Sequence, residues 1–230
     1  MPAQTLRARV RAEMIEEIKT TARRHLAVDG ANLSLRAVAR DLGMVSSAVY
    51  RYFASRDELL TALILDAYNS LGVATEQAEG AVARSDLPGR WLATCRGVRD
   101  WARANPHEYA LIYGSPVPGY AAPQDTIAPA SRVALLLVAI LRDGHERGRV
   151  RAERGERIPR VVRTQLAQLG RQPGLGGLPE AVLARGVTAW VHLFGLINFE
   201  LFGRLDDVID DLDTYFDYEM GTLARHAGIS

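Results

Sequence analysis

Residues 34–53, SLRAVARDLGMVSSAVYRYF, are the stretch from which this chain is read. Leu35, Val38, Ala39 and Leu42 fall at i, i+3, i+4 and i+7, the spacing of one helical face, and Ser34 ahead of them is an N-cap type. Gly43 breaks the pattern. Ser46 opens a second short helix running to Tyr52, with Val45 and Tyr50 placed as a hydrophobic staple across its start. Two short helices joined by a tight, glycine-containing turn are the layout of a helix-turn-helix. In that layout Leu35, Val38, Leu42, Val45, Val49 and Phe53 face inward, while Ser47, Ala48, Tyr50, Arg51 and Tyr52 stay outward. Such an outward face suits a helix pressed into a DNA major groove: small residues permit close approach, and hydroxyls and arginine reach phosphates or base edges. Ser34 and Ser46 stand at helix N-termini, where exposed N–H groups favour a phosphate, and Arg56 adds a further backbone contact. Tyr50 and Tyr52 belong outside because a phenol hydroxyl seeks a polar partner; Phe53 has none and turns inward.

Outward from this stretch the helical period continues in both directions. Upstream, Met14, Ile15, Ile18, Ala22 and Leu26 share a face, with Gly30 as the stop. Arg7, Arg9 and Arg11 lie on an N-terminal arm that can reach the minor groove or phosphates. Downstream, Ser55 and Glu58 have the spacing of a capping box and open a long helix carrying Leu60, Leu63, Ile64, Ala67 and Leu71. Further helices are predicted over 91–104, 107–113, 127–146, 159–169, 179–203 and 207–226. Between them, 114–125 (GSPVPGYAAPQD), the Arg-rich 147–157 and 171–179 (RQPGLGGLP) read as loops or linkers. No segment sustains a period-two alternation, so the fold class is all-α. It divides into an N-terminal three-helix helix-turn-helix domain over 1–65 and a larger helical domain over 66–230.

At 230 residues, 48% of them hydrophobic, the chain has enough apolar surface for a substantial core. The net charge of +1 is unevenly spread: residues 1–60 carry ten Lys/Arg against seven Asp/Glu, hence +3, and the remainder eighteen against twenty, hence −2. That is a small basic module on a slightly acidic body, far from a histone-like polycation. One cysteine, Cys95, makes no internal disulfide. The start MPAQTLRARVR lacks the apolar stretch of a secretory signal, and no apolar run reads as long enough to span a membrane. The expected compartment is the cytoplasm.

Residues 10–65 resemble the DNA-binding domain of the TetR family of bacterial transcriptional regulators. The resemblance is carried by IKTTARRHLAVDG and SLRAVARDLGMVSSAVYRYFASRDELL, above all by Tyr50-Arg51-Tyr52-Phe53 followed closely by Arg56-Asp57-Glu58-Leu59-Leu60. It implies phosphate contacts from Ser34, Ser46, Tyr50, Tyr52 and Arg56, base contacts from Ser47, Ala48 and Arg51, and Arg36 near the backbone. Ser47 departs from the lysine, arginine or proline frequent at that position, which leaves base readout thinly specified.

The resemblance also implies a C-terminal domain that dimerises and binds a small ligand. The helices near 179–203 and 207–226 carry Trp190, Leu193, Phe194, Ile197 and Leu201, then Leu212, Tyr215, Phe216, Met220 and Leu223, which suits a four-helix interface between two copies. Trp91, Cys95, Trp101, Tyr109, Tyr113, Trp190, His192 and Phe199 are the candidate lining of a mostly apolar ligand site. YALIYGSPVPGY at 109–120 and the Trp190–Gly195 set resemble the C-terminal domain of a subset of these regulators.

Competing motifs are weaker. Asp206-Asp207-Val208-Ile209-Asp210 spells the DDxxD of magnesium-dependent prenyl-diphosphate enzymes, yet no second acidic motif accompanies it. Its acids read instead as first-turn residues of the last helix, favourable to the dipole. His145-Glu146 and His107-Glu108 lack a second histidine for zinc, so neither metal nor cofactor is expected. The eight arginines of 142–163 are interleaved with four acids, the pattern of a solvated loop. The expected function is a ligand-responsive repressor that binds a palindromic operator as a homodimer and is released by a small-molecule inducer. The alternatives are a helical prenyl-type enzyme and a ligand-independent DNA-binding protein.

Overall fold

The computed structural model describes residues 6–29, 33–151 and 157–229. Gly30 and part of the Arg-rich loop fall outside the described residues. The regular elements are helices throughout: α1 Leu6–Asp29, α2 Leu35–Asp41, α3 Ser46–Val49, α4 Arg56–Gly80, α5 Leu87–Ala104, α6 Pro106–Tyr113, α7 Ile127–Glu146, α8 Arg160–Leu169, α9 Glu180–Leu201 and α10 Leu212–His226. A 3-10 turn, Gln124–Thr126, ends the stretch expected to be loop. The chain forms two compact units, Met1–Asn69 with Asn105–Pro129, and Ser70–Ala104 with Ala130–Ser230.

In the first unit, α1, α2, α3 and the start of α4 close over one apolar core. Ile18, Ala22 and Leu26 of α1 meet Leu35, Val38 and Ala39 of α2, Val49 of α3, Phe53, and Leu59, Leu60 and Leu63 of α4. Each fully buried aliphatic or aromatic side chain of this kind contributes about 1.5–3 kcal/mol by leaving water. Ser34 caps α2, its Oγ accepting from the Ala37 N–H at 3.4 Å. The far end of α2 is closed by two bonds, Gly43 N–H to the Arg40 carbonyl and Met44 N–H to the Ala39 carbonyl. This closure requires Gly43 to sit at φ 65°, a left-handed conformation that costs other residues strain. The capping box forms with a one-residue offset: Glu58 N–H donates to Ser55 Oγ at 3.1 Å, and the Glu58 carboxylate accepts from the Ala54 N–H at 2.6 Å.

The first unit is not a continuous piece of chain, which a single division after residue 65 does not anticipate. Val117 is buried in its core, with Leu111 and Tyr120 packed against it. The Tyr120 and Thr61 hydroxyls lie 2.9 Å apart in a hydrogen bond, and the Tyr68 hydroxyl donates to the Ile112 carbonyl at 3.3 Å. Tyr113 packs edge-on to Tyr68 and leans against Tyr109. The proline-rich segment after α6 is thus a strap with anchored side chains.

In the second unit, α10 packs on α5 and α9, α5 on α9, and α8 on α9. Gly97 lets α5 approach α4 closely, since a Cβ there would stand 3.0 Å from the Ala78 Cβ and 3.2 Å from the Thr75 Cα. Three arginines are buried here. Arg90 pairs with Glu79 at 2.5 Å and Asp143 at 2.7 Å, leaving its second terminal nitrogen without a partner. Arg99 holds Glu200 in a two-pronged pair and stacks over the Phe216 ring. Arg185 donates to the Arg151 and His226 carbonyls. The 171–179 linker is tied down, Arg142 donating to the Gly174 and Gly176 carbonyls.

Several expectations are corrected. Val45 is 72% exposed and Tyr50 46% exposed, so the two form no inward staple, and α3 stops at Val49 instead of Tyr52. Residues 6–29 are helical, so Arg7, Arg9 and Arg11 belong to α1 and not to an extended arm. Asp206, Asp207 and Asp210 precede α10 in a turn; only Asp211 caps it, accepting from the Thr214 N–H at 3.0 Å, a bond that lowers its pKa. Two helical stretches, Gln124–Glu146 and Glu180–Leu201, are long and apolar enough by length and composition to cross a membrane, where no such run was expected.

Candidate nucleic-acid interface

The outward residues of the first unit are set by what its core excludes. Val49 and Phe53 turn into the core, and this leaves Ser47, Tyr50 and Arg51 exposed on α3 and the turn after it, with Ser46, Ala48 and Tyr52 partly covered. Ser46 is the first residue of α3 and not its cap; Val45 takes the cap position and makes no side-chain capping bond. Arg36 is exposed on α2. Arg56 is half-buried and donates to the Leu33 carbonyl at 3.1 Å, bracing the chain ahead of α2. Ser34 uses its acceptor on the α2 cap.

Arg11 has a role that sequence reading missed. Its guanidinium donates to the Arg51 carbonyl at 3.2 Å and lies 5.1 Å from the centre of the Tyr52 ring. It therefore holds the turn that follows α3. The signal that could have revealed it is the Arg7/Arg11 spacing of four, which puts both on one face once the helix is known to begin at Leu6. Leu6, Arg7, Ala8, Val10, Arg11 and Tyr52 border an open groove of about 670 Å³ on this unit. Arg9 pairs instead with Glu13 at 2.9 Å.

The candidate ligand residues are divided between the two units. Tyr109 and Tyr113 belong to the first unit, and Trp91, Cys95, Trp101, Trp190, His192 and Phe199 to the second. Trp91 is sealed, its indole N–H donating to the Met220 carbonyl at 3.0 Å, and Trp101 donates to Ser70 Oγ at 2.9 Å. Burial pushes the Cys95 thiol pKa up, so it stays a protonated, unreactive core group. Burial likewise raises the Tyr109 and Tyr113 phenols, which remain hydrogen-bond donors. Trp190 and Phe199 stand on the outer side of α9, 40% and 52% exposed, and His192 lies 3.3 Å from Glu219 of α10. Among the described residues no group of three or more His, Cys, Asp or Glu side chains is placed to hold a metal ion.

Comparison with known proteins finds relatives along nearly the whole chain. Residues 18–63 match the family described as bacterial regulatory proteins, tetR family, and residues 91–223 match the tetracyclin repressor-like C-terminal domain. The chain is 37% identical over 234 residues to the HTH-type transcriptional regulator Rv1816 of Mycobacterium tuberculosis, covering 97% of this chain and 99% of that one. The crystal structure of the regulatory protein SCO4313 superposes with a TM-score of 0.76 at 33% identity, over 95% of this chain and 98% of that one. PfmR, a TetR-family regulator of Thermus thermophilus, shares the fold at TM-score 0.59 and 19% identity, over 90% of this chain and 97% of that one. The family consists of DNA-binding transcriptional regulators and not enzymes, which removes the prenyl-enzyme reading of Asp206–Asp210. With both its helix-turn-helix and its C-terminal domain matched, the chain belongs to the TetR family of bacterial transcriptional regulators.

Proposed function

We propose that this regulator is a repressor that binds a palindromic operator as a homodimer and leaves it when a small molecule binds the C-terminal domain. The observation that carries the DNA half is the exposed set Ser47, Tyr50 and Arg51 on a rigidly cored helix-turn-helix. Phosphate contacts fall to Ser34, Ser46, Tyr50, Tyr52 and Arg56, with Arg36 near the backbone, and base contacts to Ser47, Ala48 and Arg51. Arg56 and Ser34 also serve their own unit, so their contribution is partly to position the backbone.

The homodimer is supported by α9, where Val187, Trp190, Val191 and Phe199 are exposed, by Phe202 just after it and by Tyr218 of α10. Exposed large apolar side chains concentrated on one helix suit an interaction site. Two copies are also what a single helix-turn-helix needs, since one module alone makes few contacts. The inducer is supported by the tetracyclin repressor-like match at 91–223, and a mostly apolar molecule suits the aromatic content of that segment. A protein of this function works in the bacterial cytoplasm.

Footprinting on a duplex enriched from a random pool tests the reading. Two protected half-sites in inverted repeat, centred one helical turn or a multiple of it apart, are expected. A single protected half-site without a repeat contradicts the homodimer.

A further inference from the structure

We infer that Val45 reads the C5-methyl group of a thymine and is a specificity-determining residue of the DNA interface. The inference rests on the reading that α3 enters the major groove. Val45 is a β-branched apolar side chain, 72% exposed, in the residue immediately before α3. The core of its unit is closed without it by Val38, Ala39, Val49 and Phe53.

Its position makes the exposure more telling. The N-cap is where Ser, Thr, Asp or Asn stabilises a helix, and valine is among the poorest choices there. Val45 makes no side-chain capping bond, so the helix gains nothing from the side chain at this site. The side chain is nevertheless well fixed. Its backbone is extended at φ −69° and ψ 139°, its carbonyl accepts from the Ala48 N–H at 2.8 Å, and branching at Cβ restricts χ1. The residues that follow, Ser46, Ser47 and Ala48, are small and leave the valine free to approach an opposing surface.

On the major-groove edge of a base pair the one hydrocarbon group is the thymine methyl; every other feature is a hydrogen-bond donor or acceptor. A fixed, exposed isopropyl group at the leading end of α3 is complementary to that group alone. It also supplies discrimination that Ser47 and Ala48 leave thin.

The test uses the full chain and a duplex it enriches from a random pool, with each thymine replaced in turn by uracil, which removes only the methyl. At one position in each half-site, uracil lowers affinity about fourfold, the effect of one buried methyl group. That penalty disappears in Val45→Ala and persists in Ala48→Gly, as expected of a direct pair. A uracil penalty that survives Val45→Ala, or no penalty anywhere while Arg51→Ala still weakens binding, overturns the role of Val45 and leaves α3 in the groove. Enrichment of no duplex, or binding indifferent to both uracil and Arg51→Ala, overturns the placement of α3 as well.

Discussion

The first unit buries Ile18, Ala22, Val38, Val49 and Leu60 completely and turns Ser47, Tyr50 and Arg51 outward, whereas the second buries Arg90, Arg99 and Arg185 and turns Trp190, Val191, Phe199 and Phe202 outward. An exterior that carries hydroxyls and arginine beside Val45 is matched to DNA, whose phosphates need donors and positive charge and whose major groove exposes thymine methyl groups. An apolar exterior is matched to another apolar surface, and the arginines that the second unit buries are held by Glu79, Asp143 and Glu200 or by backbone carbonyls. The tetR-family match over residues 18–63 falls in the first unit, the one that carries the exposed Ser47, Tyr50 and Arg51.

The largest expected effect tests the buried charges. Arg90→Met takes from Glu79, which is 6% exposed, its buried partner and leaves it only the largely exposed Arg84 at 3.0 Å. The change destabilises the protein by about 3 kcal/mol in chemical denaturation. Adding Glu79→Leu recovers most of that loss, because the cost lies in a buried carboxylate left with Arg84 alone. A single change costing under about 1 kcal/mol removes this half of the contrast.

Next in size is Val117→Ala, which loses about 1.5 kcal/mol from the two methyl groups withdrawn from the core. Its sharper readout is hydrogen exchange. Protection falls in α1 and α2 of the first unit and holds in α9 and α10, although Val117 follows those first helices by some distance in sequence. Loss confined to α9 and α10 breaks the division of the chain into these units.

The smallest effect concerns Lys19, the one buried cation of the first unit's described residues. Burial alone lowers its pKa, but hydrogen bonds and charge from Asp66 at 2.8 Å and Glu16 at 2.6 Å outweigh this and hold it above the ordinary 10.5. A folded pKa above the unfolded one means that the contribution is complete below pH 10.5 and fades as pH rises through the raised value. The stability gap between wild type and Lys19→Met is therefore present at neutral pH and narrows on the alkaline side. A gap that widens there reverses the assignment.

The particular elements show what is legible in a sequence. The inward face of α2, its Ser34 cap and the bounds of α7 follow from local spacing and are where that spacing puts them. Val45 is not, because it precedes α3 and helical phase does not govern a cap residue. The strap of Val117 and Tyr120 is hidden by its own prolines and glycines, which signal a loop but carry no information on what the loop packs against. The start of α10 slips because a run of acids offers several caps, and only Asp211 has its carboxylate at the Thr214 N–H. The aromatic residues of the candidate ligand site illustrate the same limit. An apolar stripe predicts burial but does not distinguish the sealed Trp91 from the outward Trp190.

The central claim is that the surface of α3 binds DNA independently of the apolar face that assembles the protein. Affinity of Tyr50→Ala and Arg51→Ala for the enriched duplex, measured beside the sedimentation mass of each variant, tests it most directly. Each variant loses at least about tenfold in affinity, the size of one lost base or phosphate contact per half-site, while the mass stays at twice the 25.2 kDa of the chain. Unchanged affinity in both variants contradicts the claim.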